Sequence, residues 1–214
     1  MADRDPPSNT VVPFERRTVA PADPNNLLRV ERLLREHGRS VARTYLPTLR
    51  AIDPRDPSAL RSSLIATHRE ALEVMLAGAA SVHALEAISE ALDRALSAEP
   101  DEGAVEASLA ALIDSRMRLP HNLPIFVEAA IFDLVDLGFP PTVVAAACEK
   151  LRRESTYFPE ISEIVAACRE TLARYRDQRR RVAQALADRR QAERWLADLT
   201  ESAATGGGTV ERLP

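Results

Sequence analysis

Apolar positions recur at helical spacing along most of the chain. Leu27, Val30, Leu34, Val41 and Tyr45 are separated by steps of three, four and seven residues, which places them on one face of an α-helix. Asn25 and Asn26 stand where N-caps belong, and Pro47 with the cluster "DPRDPS" breaks the pattern. Asp56 and Pro57 pair a good cap with a proline at the first helical position. They open a second helix with Leu60, Leu64, Ala71 and Met75 on one face and an end near Gly78. Val82, Leu85, Ile88, Leu92 and Leu96 form the cleanest amphipathic stripe, with Glu86, Glu90 and Asp93 pointing away. "AEPDEG" ends that helix, and Val105, Leu109, Leu112 and Ile113 begin another that "RLPHNLP" stops.

Residues 124–137 are apolar around most of the helical circumference. Phe126, Ala129, Ala130, Phe132 and Leu134 leave only a narrow acidic edge, the mark of a central helix. On that reading Phe132→Ala costs about 3–5 kcal/mol. Gly138 suits the left-handed position past a helix end, and Pro140 and Pro141 start the next helix. It runs to about Glu154 and buries Val143, Val144, Ala147, Cys148 and Leu151.

After the turn "STYFP" comes the longest periodic run: Ile161, Val165, Cys168, Leu172, Tyr175, Val182, Leu186 and Leu196 step by three and four, with Arg179, Arg189 and Glu193 at the remaining seam positions. Its first half is expected to pack on the body, and its second half to form a weaker seam that projects or pairs with a second copy. No alternating strand pattern or hairpin turn is present. The sequence therefore predicts an all-α protein: an irregular bundle of about seven helices with a long C-terminal helix. Residues 1–25, with five prolines, read as a disordered arm. Residues 26–175 read as the helical domain, 176–199 as a basic C-terminal helix extension and 200–214 as a flexible tail.

Composition narrows the class. With 45% hydrophobic residues in 214, the chain can bury a core without metal or disulfide staples. Its most apolar stretch, Ile125 to Leu137, is interrupted by Glu128, Asp133 and Asp136 and falls short of a membrane span. Cys148 and Cys168 sit inside apolar helical patterns, as buried reduced thiols do, which suits a cytoplasmic protein without a membrane partner. The net charge of −4 is unevenly distributed. Leu27 to Arg50 holds six arginines against two glutamates, Glu70 to Asp114 ten acids against Arg94 alone, and Arg169 to Arg194 nine arginines against four acids. This asymmetry points either to a polyanionic partner or to charge matching between helices.

Enzyme signatures are missing. The seven glycines, Gly38, Gly78, Gly103, Gly138 and Gly206 to Gly208, allow neither a phosphate loop nor a dinucleotide turn. His37, His68, His83 and His121 occur singly, each read as a surface or half-buried helix residue, and no C-x-x-C accompanies them. Asp133 with Asp136 reads as the polar edge of a helix, and Glu160 with Glu163 as acids at a helix start. No cofactor, metal or catalytic residue is expected, so the protein is not read as an enzyme.

The turn after Arg152 and Arg153 gathers two of the chain's few aromatics. Phe158 is placed to staple onto the following helix near Ile161 to Ile164. Tyr157, beside the two arginines, is either a stacking residue for a base or partner side chain or a half-buried corner tyrosine. Arg174, Arg176, Arg179, Arg180, Arg181, Arg189 and Arg190 wrap the long helix and are diluted by Asp177 and Asp188, and the first five are the candidate binding residues. They suit phosphate contacts or, alternatively, i,i+4 pairs such as Glu170 with Arg174 and Asp177 with Arg181.

The stretch "LPIFVEAAIFDLVDLGFPPTVVAAACEKLRRESTYFPEISEIVAACRE" resembles small all-α phage and prophage proteins of the helicase-loader and replisome-organiser kind. The likeness spans roughly residues 105–172. It implies a non-catalytic accessory factor for DNA replication, with DNA, a replicative helicase or another replication protein as partner. The other function class is a helical oligomerisation or structural protein, a homo-oligomer through its C-terminal helix.

Overall fold

The computed structural model describes the backbone of residues 24–49 and 58–204 and the side chains of residues 29–49 and 62–201. Within them lie seven α-helices and no strand: α1 (Pro24–Arg43), α2 (Ser58–Gly78), α3 (Val82–Ser97), α4 (Glu102–Asp114), α5 (Leu123–Asp136), α6 (Pro141–Glu154) and α7 (Ile161–Ala204). The all-α class and the long final helix are as the periodicities predict. Residues 1–23 of the N-terminal arm, the Asp56–Pro57 cap and residues 205–214 of the tail lie outside the described residues, as do the side chains of Asn25, Asn26, Leu27 and Leu60. Residues 24–25, read as arm, begin α1, and residues 200–204, read as flexible tail, continue α7 as helix.

At 44 residues, α7 is about 66 Å long and serves as the spine. α1, α2, α3 and α6 pack along it, α4 packs on α6, and α5 packs on α4 and α7. The main core joins Leu85, Ile88 and Leu92 of α3, Val105, Leu109 and Leu112 of α4, Val143, Val144 and Ala147 of α6, and Ile164, Cys168, Tyr175 and Val182 of α7. Val30 and Val41 of α1 complete it. A second, smaller core sets Leu72 and Met75 of α2 against Ala192 and Leu199 of α7, flanked by Trp195 and Leu196. The second half of α7 therefore does not project: Val182 and Ala185 belong to the main core, and the apolar positions beyond them are covered by α2. Leu72, outside the stripe read from the sequence, is the fully buried side chain among the described ones of α2.

Helix ends follow local chemistry. Ser81 and Asp101 accept from the backbone N–H groups of Ala84 at 3.1 Å and Ala104 at 2.7 Å, capping α3 and α4. After α5, Gly138 takes φ 71°, its N–H donates to Val135 O at 2.9 Å, and that of Phe139 donates to Leu134 O at 3.2 Å, a Schellman closure that uses glycine's freedom. At the start of α7, the backbone N–H of Glu160 donates to Glu163 Oε2 at 2.8 Å, the return half of a capping box. α1 ends at Arg43, ahead of Pro47, where Thr44 Oγ1 donates to Ser40 O at 2.7 Å and accepts from Ala80 N at 3.2 Å. Arg189 donates to Ala80 O at 2.9 Å and so ties the α2–α3 turn to α7.

The helix expected at the centre is at the edge. In α5 only Ala130 and Leu134 are buried, while Ile125 is 62% and Phe132 70% exposed. The reason is geometric: α4 and α7 cover one face of α5, and no described element covers the other. Cys148 and Cys168 are free and buried, and burial pushes both thiols up to about 12, with Cys148 adding to the effect on Cys168. Among the described residues no single helix is long and apolar enough to cross a membrane.

Candidate functional site

The turn between α6 and α7 is held from the segment just after α4. Arg116 donates through Nη2 to Leu151 O at 2.7 Å and through Nη1 to Ser155 O, adding a second donor to the Leu151 carbonyl, which already accepts from Ser155 N–H at 2.9 Å, and supplying one to the carbonyl of Ser155 at the end of α6. Ser155 Oγ donates to Tyr157 O at 2.8 Å. The Phe158 ring meets Phe126 of α5 edge-to-face, centroids 5.0 Å apart and planes at 70°. With the backbone pinned and Phe158 turned toward α5, Tyr157 is left 77% exposed. It is not a corner tyrosine.

The candidate arginines separate into paired and free groups. Arg152 and Arg153, in the last turn of α6, both approach Glu149, the first at 4.0 Å, and offset the negative end of the helix dipole. Arg174 reaches Glu31 of α1 at 2.6 Å. Arg179 Nε lies 2.5 Å from Asp93 Oδ1 of α3, an ion pair out of line for a hydrogen bond. Arg190, outside the candidate set, meets Glu86 of α3 at 2.7 Å. Arg180 and Arg181 share Asp177 at 3.2 and 2.7 Å. The acidic middle and basic end of the sequence thus meet across α3 and α7. Arg176 is exposed and has no ion pair among the described residues.

One polar cleft, of about 460 Å³, opens between α1, α6 and α7. It brings Arg153 and Arg174 together with Arg32 and Arg35 of α1, but also with Glu31, Glu149, Glu154 and Glu170, and Tyr157 and Arg179 to Arg181 are not in its walls. Lys150 bridges to Glu170 at 2.7 Å, and its ammonium holds the Glu170 carboxyl below the usual range. Acids and bases line it in nearly equal number, so the cleft has no strong preference for one sign of ligand. No group of three or more His, Cys, Asp or Glu among the described residues is placed to hold a metal ion. Nor is His68 the surface or half-buried residue expected. Its ring is buried, Nδ1 has no partner among the described residues, and burial lowers its pKa.

The largest concentration of solvent-facing apolar side chains surrounds α5. Of the eight large hydrophobic residues exposed in the described chain, Ile125 and Phe132 are on α5, Met117 and Leu119 precede it, Leu137 ends it, and Tyr157 adjoins the Phe158 that packs on it. Six of the eight therefore lie on α5, within a few residues of it, or next to a residue packed against it, a concentration rather than a scatter. Ile125 and Phe132 are seven residues apart, hence aligned two turns along one face, with Ala129 between them. Glu128, Asp133 and Asp136 are exposed beside this row, and none has an ion pair among the described residues. The apolar circumference was visible in the sequence. That half of it stays bare was not.

No protein-family model, curated protein or solved structure matches the chain.

Proposed function

We propose that this protein is a non-enzymatic binding module that holds another protein on the exposed face of α5 and the adjoining Tyr157 turn. The observation that carries this reading is the exposed pair Ile125 and Phe132, with the half-buried Ala129 between them, on a helix that is apolar on its opposite face too. A helix of that composition, left half uncovered by its own chain, has the surface of a protein interface. The resemblance over residues 105–172, which includes α5 and the turn, directs the proposal toward an accessory factor of phage DNA replication. Two free buried cysteines are in keeping with a cytoplasmic setting.

A specific observation favours DNA as a second reading. Arg169, Arg176 and Arg180 are all exposed and fall seven and four residues apart, so they form one outward line on α7 that the inter-helix ion pairs leave open. Such a line supplies sequence-independent phosphate contacts. Self-association through the C-terminal helix is less well supported, because the apolar positions of that half are taken up by the main core and by α2.

The test places a photo-reactive residue at position 132, with position 183 on the outward face of α7 as control, in cells expressing the protein. The protein-binding reading expects a heterotypic adduct from position 132 and none from 183. The absence of any adduct specific to position 132, combined with salt-dependent DNA binding that Arg169, Arg176 and Arg180 changed together to alanine abolish, would replace it with the DNA reading.

A further inference from the structure

Resting on that docking reading, we propose that the occupant of the α5 face is an amphipathic helix of a different protein whose apolar stripe is flanked by lysine or arginine. The apolar part of the match is set by spacing. Ile125 and Phe132 stand about 10.5 Å apart along the helix, with the small Ala129 leaving a notch between them. That is a surface into which a partner helix lays side chains at its own i and i+3 or i+4 positions.

The charge part selects the partner. Glu128, Asp133 and Asp136 border the row, and α5 contains no lysine or arginine at all. Asp133 and Asp136 stand in the last turn, at the negative end of the helix dipole, where cations are favoured and acids are not, and no basic residue of the helix offsets them. For the isolated chain this placement is unfavourable, whereas a basic partner turns it to advantage. The same acids disfavour a second copy, since pairing two α5 faces about a twofold axis brings six unpaired carboxylates together. An anionic lipid surface is disfavoured for the same reason.

The experiment uses the full-length chain and two fluorophore-labelled helical peptides with one shared Leu/Phe stripe, one flanked by lysines and arginines and the other by glutamates. Anisotropy is read at low and high salt. The expected result is binding of the basic peptide only, weakened by salt, and reduced roughly tenfold or more in Phe132→Ser and in Ile125→Ser. Asp133→Asn combined with Asp136→Asn also weakens binding and flattens its salt dependence, without lowering Tm.

Equal binding of both peptides, still dependent on Phe132, would overturn the basic partner while leaving the docking reading in place. Failure of either peptide to bind through Phe132 would overturn the inference. If sedimentation then shows a dimer that Phe132→Ser dissolves, the occupant is a second copy. If it shows a monomer, and position 132 gives no photo-adduct, the docking reading fails with it.

Discussion

Tyr175→Ala lowers the unfolding free energy by about 3–5 kcal/mol, the range for removing a large buried aromatic side chain, as read by urea denaturation. Tyr175 is fully buried on α7, its hydroxyl donates to Glu31 Oε1 of α1 at 2.7 Å, and the Arg174 guanidinium sits 5.0 Å from its ring centroid. One side chain therefore fills the core and anchors α1 to the spine. Tyr175→Phe separates the two contributions: the ring stays, and the loss falls to about 1.5 kcal/mol, the low end for a hydrogen bond to a charged group, because Glu31 remains partly solvated and paired with Arg174.

The pH dependence has a definite sign. Burial first, and then the Glu31 charge, push the Tyr175 phenol well up. The unfolded chain therefore ionises this residue near pH 10 while the folded chain keeps its proton. The contribution is fully present below that pH and is lost above it. The stability gap between wild type and Tyr175→Phe accordingly narrows in alkali.

Leu134→Ala and Phe132→Ala, two residues apart on α5, differ sharply in outcome. Leu134 is fully buried in the main core, so its truncation costs about 2–5 kcal/mol. Phe132 is 70% exposed, and its truncation stays within about 0.5 kcal/mol, as for other surface substitutions. Urea denaturation of both variants checks the pair. This reverses the expectation from sequence, where the larger aromatic on an all-round apolar helix is the one that should matter.

The reversal marks the limit of what periodicity can tell. Stripes such as Leu85, Ile88 and Leu92 are legible because their opposite faces are charged, leaving one way to fold them. Gly138 was legible because a left-handed residue is required after α5 and little else tolerates it. α5 offers two apolar faces, and which one the chain buries depends on α4 and α7, not on the spacing within residues 123–136. Polar seam residues misled in a similar way. Arg179 and Arg189 look like weaknesses in a seam, yet the first pairs with Asp93 and the second binds the Ala80 carbonyl. These are long-range partners that no local window contains. Arg116 gave no signal at all, since its two acceptors are backbone carbonyls 35 and 39 residues away.

The bare face of α5 is most directly tested by the alkylation rate of Phe132→Cys in the isolated native chain. Cys148 and Cys168 provide the internal reference, because both are buried with thiols raised to about 12 and stay inert until the chain unfolds. The account predicts that the thiol at position 132 reacts at nearly the rate of a free cysteine while the two native thiols do not react. Protection at position 132 equal to that of Cys148 and Cys168 would contradict it, because the face would then be covered by the chain itself or by its own copy, leaving no surface for a partner.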